Sequence, residues 1–130
     1  IKELILANPR RMVVPAITDL DIDTWDEAPQ SSVNTKCYLT WDADFNWFDD
    51  ASPDVPVMSG GLLALSREWW QLTGGYDGDM RGWGGENLDQ SLRSWLCGGE
   101  IQRALTSRVA HMWRVPHDKR TSAHYKALNG

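Results

Sequence analysis

Trp83-Gly84-Gly85-Glu86-Asn87-Leu88-Asp89-Gln90-Ser91-Leu92-Arg93-Ser94-Trp95-Leu96-Cys97-Gly98-Gly99 decides how this chain is read. Leu88, Leu92, Trp95 and Leu96 recur at i, i+4, i+7 and i+8, which predicts an amphipathic helix over 87–96 with those four side chains on its inner face. Gly98-Gly99 closes it. Ahead of the helix, Gly84 and Gly85 permit backbone conformations and close approaches that a Cβ would block. Glu86 and Asn87 then place a carboxylate and an amide at a helix mouth, with Trp83 free to stack over whatever they hold. Sugars are bound by such a mixture, polar groups for hydroxyls and an aromatic face for C–H surfaces. The same residues would equally serve helix capping, with the glycines as a tight turn.

Working outward toward the N-terminus, Ser66 is placed to cap a helix over 67–72 that Gly74-Gly75 ends. Val57 to Leu65 reads as a buried strand interrupted by Gly60 and Gly61, which marks either a bulge or close approach by a ligand. Residues 42–56 read as an Asp-rich loop, and 31–41 as a weak strand. Met12-Val13-Val14-Pro15-Ala16-Ile17 reads as a short buried strand, preceded by a helix that Asn8-Pro9 stops. Asp19 to Gln30 is mostly loop. Toward the C-terminus, Ile101 to Arg114 reads as one or two strands with Val109, His111 and Trp113 on one face. Beyond Pro116 the chain is polar, and a mobile tail is expected. Strands alternating with helices indicate an α/β protein, in which ligands gather at loops leaving the carboxyl ends of strands.

Composition narrows the function. With 130 residues the chain holds one domain, and 42% hydrophobic against 24% charged residues suits a packed core. A net charge of −5 argues against a general nucleic-acid binder. Residues 19–54 are acidic, whereas Arg114, Lys119, Arg120 and Lys126 make the far end basic, the better side for an anionic ligand. No stretch reaches the roughly 18–20 apolar residues that span a bilayer. Eight tryptophans are many for this length, divided between core and binding roles. Cys37 and Cys97 are too few for a disulfide framework or a metal cluster.

Other chemistry-bearing residues each have a plain structural use as well. His111, between Ala110 and Met112, is a metal ligand or a satisfied strand histidine. Arg114 could fork onto a phosphate. Asp19-Leu20-Asp21-Ile22-Asp23 and Asp42-Ala43-Asp44 have the Asp-x-Asp form that holds a divalent cation, or are solvated loops. Nothing suggests a Ser-His-Asp or Cys-His arrangement.

Taken in order, Met58-Ser59-Gly60-Gly61-Leu62, Gly75-Tyr76-Asp77, Trp83-Gly84-Gly85-Glu86-Asn87-Leu88, Trp95-Leu96-Cys97-Gly98-Gly99 and Val109-Ala110-His111-Met112-Trp113-Arg114 resemble the polypeptide N-acetylgalactosaminyltransferases. Asp44-Phe45-Asn46-Trp47 and Val13-Val14-Pro15-Ala16-Ile17 are similar to two further segments of that family, so the likeness runs over about residues 1–117. The resemblance implies a partial GT-A-type nucleotide-sugar transferase fold, a mixed sheet flanked by helices. It further implies UDP-GalNAc as donor, Mn2+ as cofactor, and retaining transfer of GalNAc to Ser or Thr of protein acceptors. A Golgi location as a single-pass membrane protein is implied for the full-length form.

By position, the family pattern makes His111 a metal ligand, and Glu86 and Asn87 the catalytic side chains. Gly60 and Gly61 line the donor sugar, and Trp83 covers it. Arg114 and His117 belong to the loop closing on the diphosphate, and Phe45 and Trp47 face sugar and acceptor. The family's Asp-x-His metal motif is not in these 130 residues, so residues 1–130 are expected to be one partial catalytic domain without the uridine-binding half, and inactive in isolation. The tyrosine expected soon after Arg114 falls near Lys119, the stretch from Trp47 to Val57 is shorter than usual, and Cys97 matches a cysteine that pairs outside this segment. The alternatives are an inverting β-galactosyltransferase or chondroitin-synthase-like domain and a catalytically dead carbohydrate-binding module. The inverting enzymes use an acid where this chain has Asn87, which cannot act as a base.

Overall fold

The structure is a computed structural model that describes residues 1–81 and 84–113. It is a mixed α/β arrangement with the order α1 (Lys2–Ala7), β1 (Arg11–Asp19), β2 (Thr35–Leu39), β3 (Phe45–Asp49), α2 (Arg67–Leu72), α3 (Glu86–Leu96) and β4 (Glu100–His111). β1 and β4 pair in parallel, and β2 and β3 form an antiparallel hairpin.

Met12 to Ala16 are all buried, as a continuous apolar run in a parallel strand should be. β1 and β4 run in register from Arg11 opposite Glu100 to Pro15 opposite Ala104, then resume at Ala16 opposite Arg108. The ladder thus skips Leu105, Thr106 and Ser107 beside Pro15, which has no N–H to give it. It ends with Asp19 opposite His111, so both strands finish at the same edge. The core lies over this pair: Met12, Val14, Val55, Met58 and Ile101, with Leu63 packed against them.

Residues 42–56, expected to be loop, contain β3. Phe45, Trp47 and Phe48 favour extended backbone, and Asp42 and Asp44, which read as loop signals, instead build the turn into it. Ala43 takes a positive φ of 62° there. Conversely, 57–65 is not a regular strand. It makes single bridges, Val57 to Cys37 and Ala64 to Val13, and Gly60 at φ +98° turns the chain between them. Ser66 caps α2 as expected, its Oγ accepting from the Trp69 N–H at 3.0 Å.

The helix over 86–96 forms, but with the opposite face inward. Asn87, Gln90, Ser91 and Ser94 are its buried residues, whereas Leu92, Trp95 and Leu96 are exposed. Ser91 and Ser94 let α3 approach its neighbours closely while keeping their own bonds. The Ser91 hydroxyl donates to Asn87 O at 2.6 Å and accepts from the Met58 N–H at 3.0 Å. Trp69, 1% exposed, points its Nε1 at Ser94 Oγ, 3.4 Å away. Gly99 completes the contact: a Cβ there would lie 2.4 Å from the Trp69 ring and 2.6 Å from Arg10 O.

Candidate functional site

Two groups of the expected residues come together, at two places. The first is where the Ser59-Gly60-Gly61 turn meets the start of α3. A Cβ on Gly60 would lie 3.5 Å from Glu86 Oε1, so the glycine leaves the carboxylate's face open. The bond from the Met58 N–H to Ser91 Oγ fixes the turn to the helix one side chain away. Gly84 and Gly85 hold φ of +94° and +88°, and nothing lies within 4 Å of a Cβ at either. They are needed for backbone shape, not for space. The N-cap is Gly85 and no side chain caps the helix, so Glu86 does not spend its oxygens on the first turn in that way. Its charge suits the positive end of the helix. Tyr76 stands near enough that its hydroxyl is held above the usual phenol range, by burial first and the Glu86 charge second. Asn87 is buried at 4% exposure, in the interior under α3. Gly61 has no heavy atom within 4 Å of a Cβ position.

The second group sits at the carboxyl edge of β1 and β4. His111 packs its ring on Trp113 with centroids 4.0 Å apart. Trp113 donates from Nε1 to Asp19 Oδ1 at 2.8 Å, and Trp47 meets it edge-on at 5.6 Å. Phe45 meets Trp47 edge-on at 6.3 Å. An aromatic row therefore runs from the hairpin to the histidine. Burial lowers the His111 pKa, with the Asp19 charge opposing, which favours the neutral imidazole that a metal requires. A cavity of about 20 Å3 beneath the hairpin is lined by Ser59 and Trp47 but by neither Glu86 nor His111.

Trp113 was not among the expected site residues, and Asp19 was expected only as part of an Asp-x-Asp pair with Asp21. The signal for Trp113 was its place two residues after His111 on the same strand face. That for Asp19 was the end of a buried strand. The rest of the acidic clusters serves turns: Asp21 Oδ1 accepts from the Asp23 and Thr24 N–H groups, and Asp44 Oδ1 from that of Phe45. Among the described residues no group of three or more His, Cys, Asp or Glu is arranged to hold a metal. Trp83, Arg114 and His117 lie outside the described residues, as does the expected tail.

Residues 51–118 match a family model described as the N-terminal domain of galactosyltransferase. Polypeptide N-acetylgalactosaminyltransferase 4 of Caenorhabditis elegans is 36% identical over 126 residues, covering 87% of this chain and 21% of that protein. Polypeptide N-acetylgalactosaminyltransferase 14 of Homo sapiens is 32% identical over 120 residues, 82% of this chain and 21% of its own. The chain belongs to the polypeptide N-acetylgalactosaminyltransferase family. As a family member it shares its fold with a solved relative, GalNAc-T7 crystallised with UDP, GalNAc and Mn2+, at a TM-score of 0.75 and 27% identity over 86% of this chain and 24% of that one. The fold is thus part of a GT-A-type glycosyltransferase fold. The chain spans about a fifth of the length of these family members.

Proposed function

We propose that the chain forms the donor-sugar and acceptor side of a retaining glycosyltransferase that moves GalNAc from UDP-GalNAc to Ser or Thr of protein acceptors. The observation that carries this is the meeting of Gly60 with the Glu86 carboxylate at the start of α3. A ring lying over a residue without a side chain can bring its hydroxyls to that carboxylate. The solved relative bound to UDP, GalNAc and Mn2+ supports the choice of donor and metal.

Glu86 accepts from sugar hydroxyls, and its charge favours the positive character that the sugar gains as UDP departs. Asn87, buried beneath, positions the first turn of α3 and does not act as a base. Gly60 and Gly61 line the sugar, Trp83 covers it, and Arg114 and His117 neutralise the diphosphate. Phe45 and Trp47 present an aromatic wall to sugar and acceptor. His111 fits a metal as a single ligand: it stands at an exposed strand end beside the Asp19 carboxylate. When bound, Mn2+ supplies positive charge to the diphosphate. The remaining ligands, and the uridine site, come from residues outside these 130. The 130-residue chain alone is expected to show no transfer, and the full-length protein to reside in the Golgi membrane.

In the full-length protein, Mn2+ titration of transfer from UDP-GalNAc to a threonine peptide tests the assignment. His111→Ala is expected to raise the Mn2+ requirement at least tenfold, and an unchanged titration would remove His111 from the metal site. The inverting alternative predicts a β-linked product, whereas an α-linked product by NMR supports retention. Asn87 in place of an acid favours the latter.

A further inference from the structure

We propose that the cavity beneath the β2–β3 hairpin binds a small monatomic anion of halide size, held by Arg103. Arg103 and Lys36 both line this space and are 4% and 3% exposed, among the apolar side chains Val14, Val55 and Trp47. Lys36 has all three ammonium hydrogens engaged: Nζ lies 2.7 Å from Asp50 Oδ2, 2.9 Å from Ser52 Oγ and 2.7 Å from Asp54 O. Arg103 is left short. Its Nη2 makes only long contacts, 3.4 Å to Asn34 Oδ1, 3.2 Å to Asp50 O and 3.4 Å to Ser52 O. Its Nε and Nη1 are buried without a partner among the described residues.

Charge decides between an anion and a water. Two cations line this space and share one carboxylate, Asp50, which is bonded to Lys36 and whose charge also acts on Arg103. Asp49 also acts on Arg103, but it is exposed and bonded to Thr35 Oγ1 at 2.8 Å, so solvent screens it. One positive charge is therefore buried in excess, with donors unpaired, which is costly unless a counter-charge enters. A volume of about 20 Å3 admits a single ion or water and excludes phosphate or an organic acid. The ion would sit under the hairpin that carries Phe45 and Trp47, and so would stiffen that wall. This inference does not depend on the proposed transfer activity.

Crystals of the full chain soaked in bromide, together with thermal unfolding at constant ionic strength, test it. An anomalous bromide peak in contact with Arg103 Nε or Nη1 is expected. Replacing gluconate by bromide at ten times its Kd should raise Tm by about 3–6 °C, and Arg103→Met should abolish that rise. A cavity holding only water density, or an equal rise in the variant, would overturn the proposal. If Arg103→Met does not fold, the bromide map of the unaltered protein decides alone.

Discussion

Gly99 and Gly61 are both glycines in a family motif, yet they answer to different constraints. Gly99 is squeezed between the Trp69 ring and the Arg10 carbonyl, where a methyl has no room. Gly99→Ala should destabilise the chain by about 1–3 kcal/mol, read from urea midpoints. Gly61 has open space around it, so Gly61→Ala should leave stability within about 0.5 kcal/mol. Any loss of transfer in that variant then reports a ligand contact. The cysteines divide in the same way. Burial pushes the Cys37 thiol up to about 12, while Cys97 is exposed at the end of α3. In the native 130-residue chain at pH 8, iodoacetamide should label Cys97 and spare Cys37, and both should react in urea. Labelling of Cys37 without urea would show that β2 is not packed as described. The glycine and capping residues were legible in the sequence because backbone demands leave a local trace. The Asp19–Trp113 bond was not, since it joins residues 94 apart.

At the scale of elements, α3 shows what periodicity can and cannot tell. Its length and ends followed from Leu spacing and from Gly98-Gly99, and the helix forms over nearly the expected span. Its inward face did not follow, because a moment marks the two sides without saying which neighbour each meets. Ser91 and Ser94 meet Met58 and Trp69, and close approach there requires small side chains. Ser94→Leu in the 130-residue chain should therefore lower stability by about 1–3 kcal/mol, whereas Leu92→Gln should change it by less than about 0.5 kcal/mol. The reverse order would restore the apolar-in orientation. β3 was missed for a related reason. Its aspartates lie in the turn and at the strand end, where they resemble loop composition, while the aromatic alternation that makes the strand covers only five residues. The hairpin is tied down by Lys36 and Asp50. Bonds from Lys36, then from Ser52, hold the Asp50 carboxyl well below the usual carboxylate range. A depressed value in the folded state adds stability above the unfolded value near pH 4, lost as pH falls through the folded one. Asp50→Asn should thus flatten the decline in unfolding midpoint below about pH 4, and an unchanged acid limb would mean the pair contributes nothing there.

At the scale of the whole molecule the expected residues gather at two places, the Gly60 turn beside the start of α3 and the β1–β4 strand ends with their aromatic row from hairpin to histidine. The family order of motifs named the residues of both places, because each motif marks a loop, but not which of them meet. What the motifs could not carry was the reach between them. Gly60 touches the space of Glu86 directly, whereas His111 joins the hairpin through Trp113. On the proposed function, the Glu86 carboxylate serves the donor sugar and not the fold. Steady-state transfer of GalNAc to a threonine peptide by the full-length protein, comparing Glu86→Gln with the unaltered enzyme at equal thermal stability, tests it most directly. A fall in kcat of about 100-fold or more is expected. A variant that keeps the unaltered rate would contradict it.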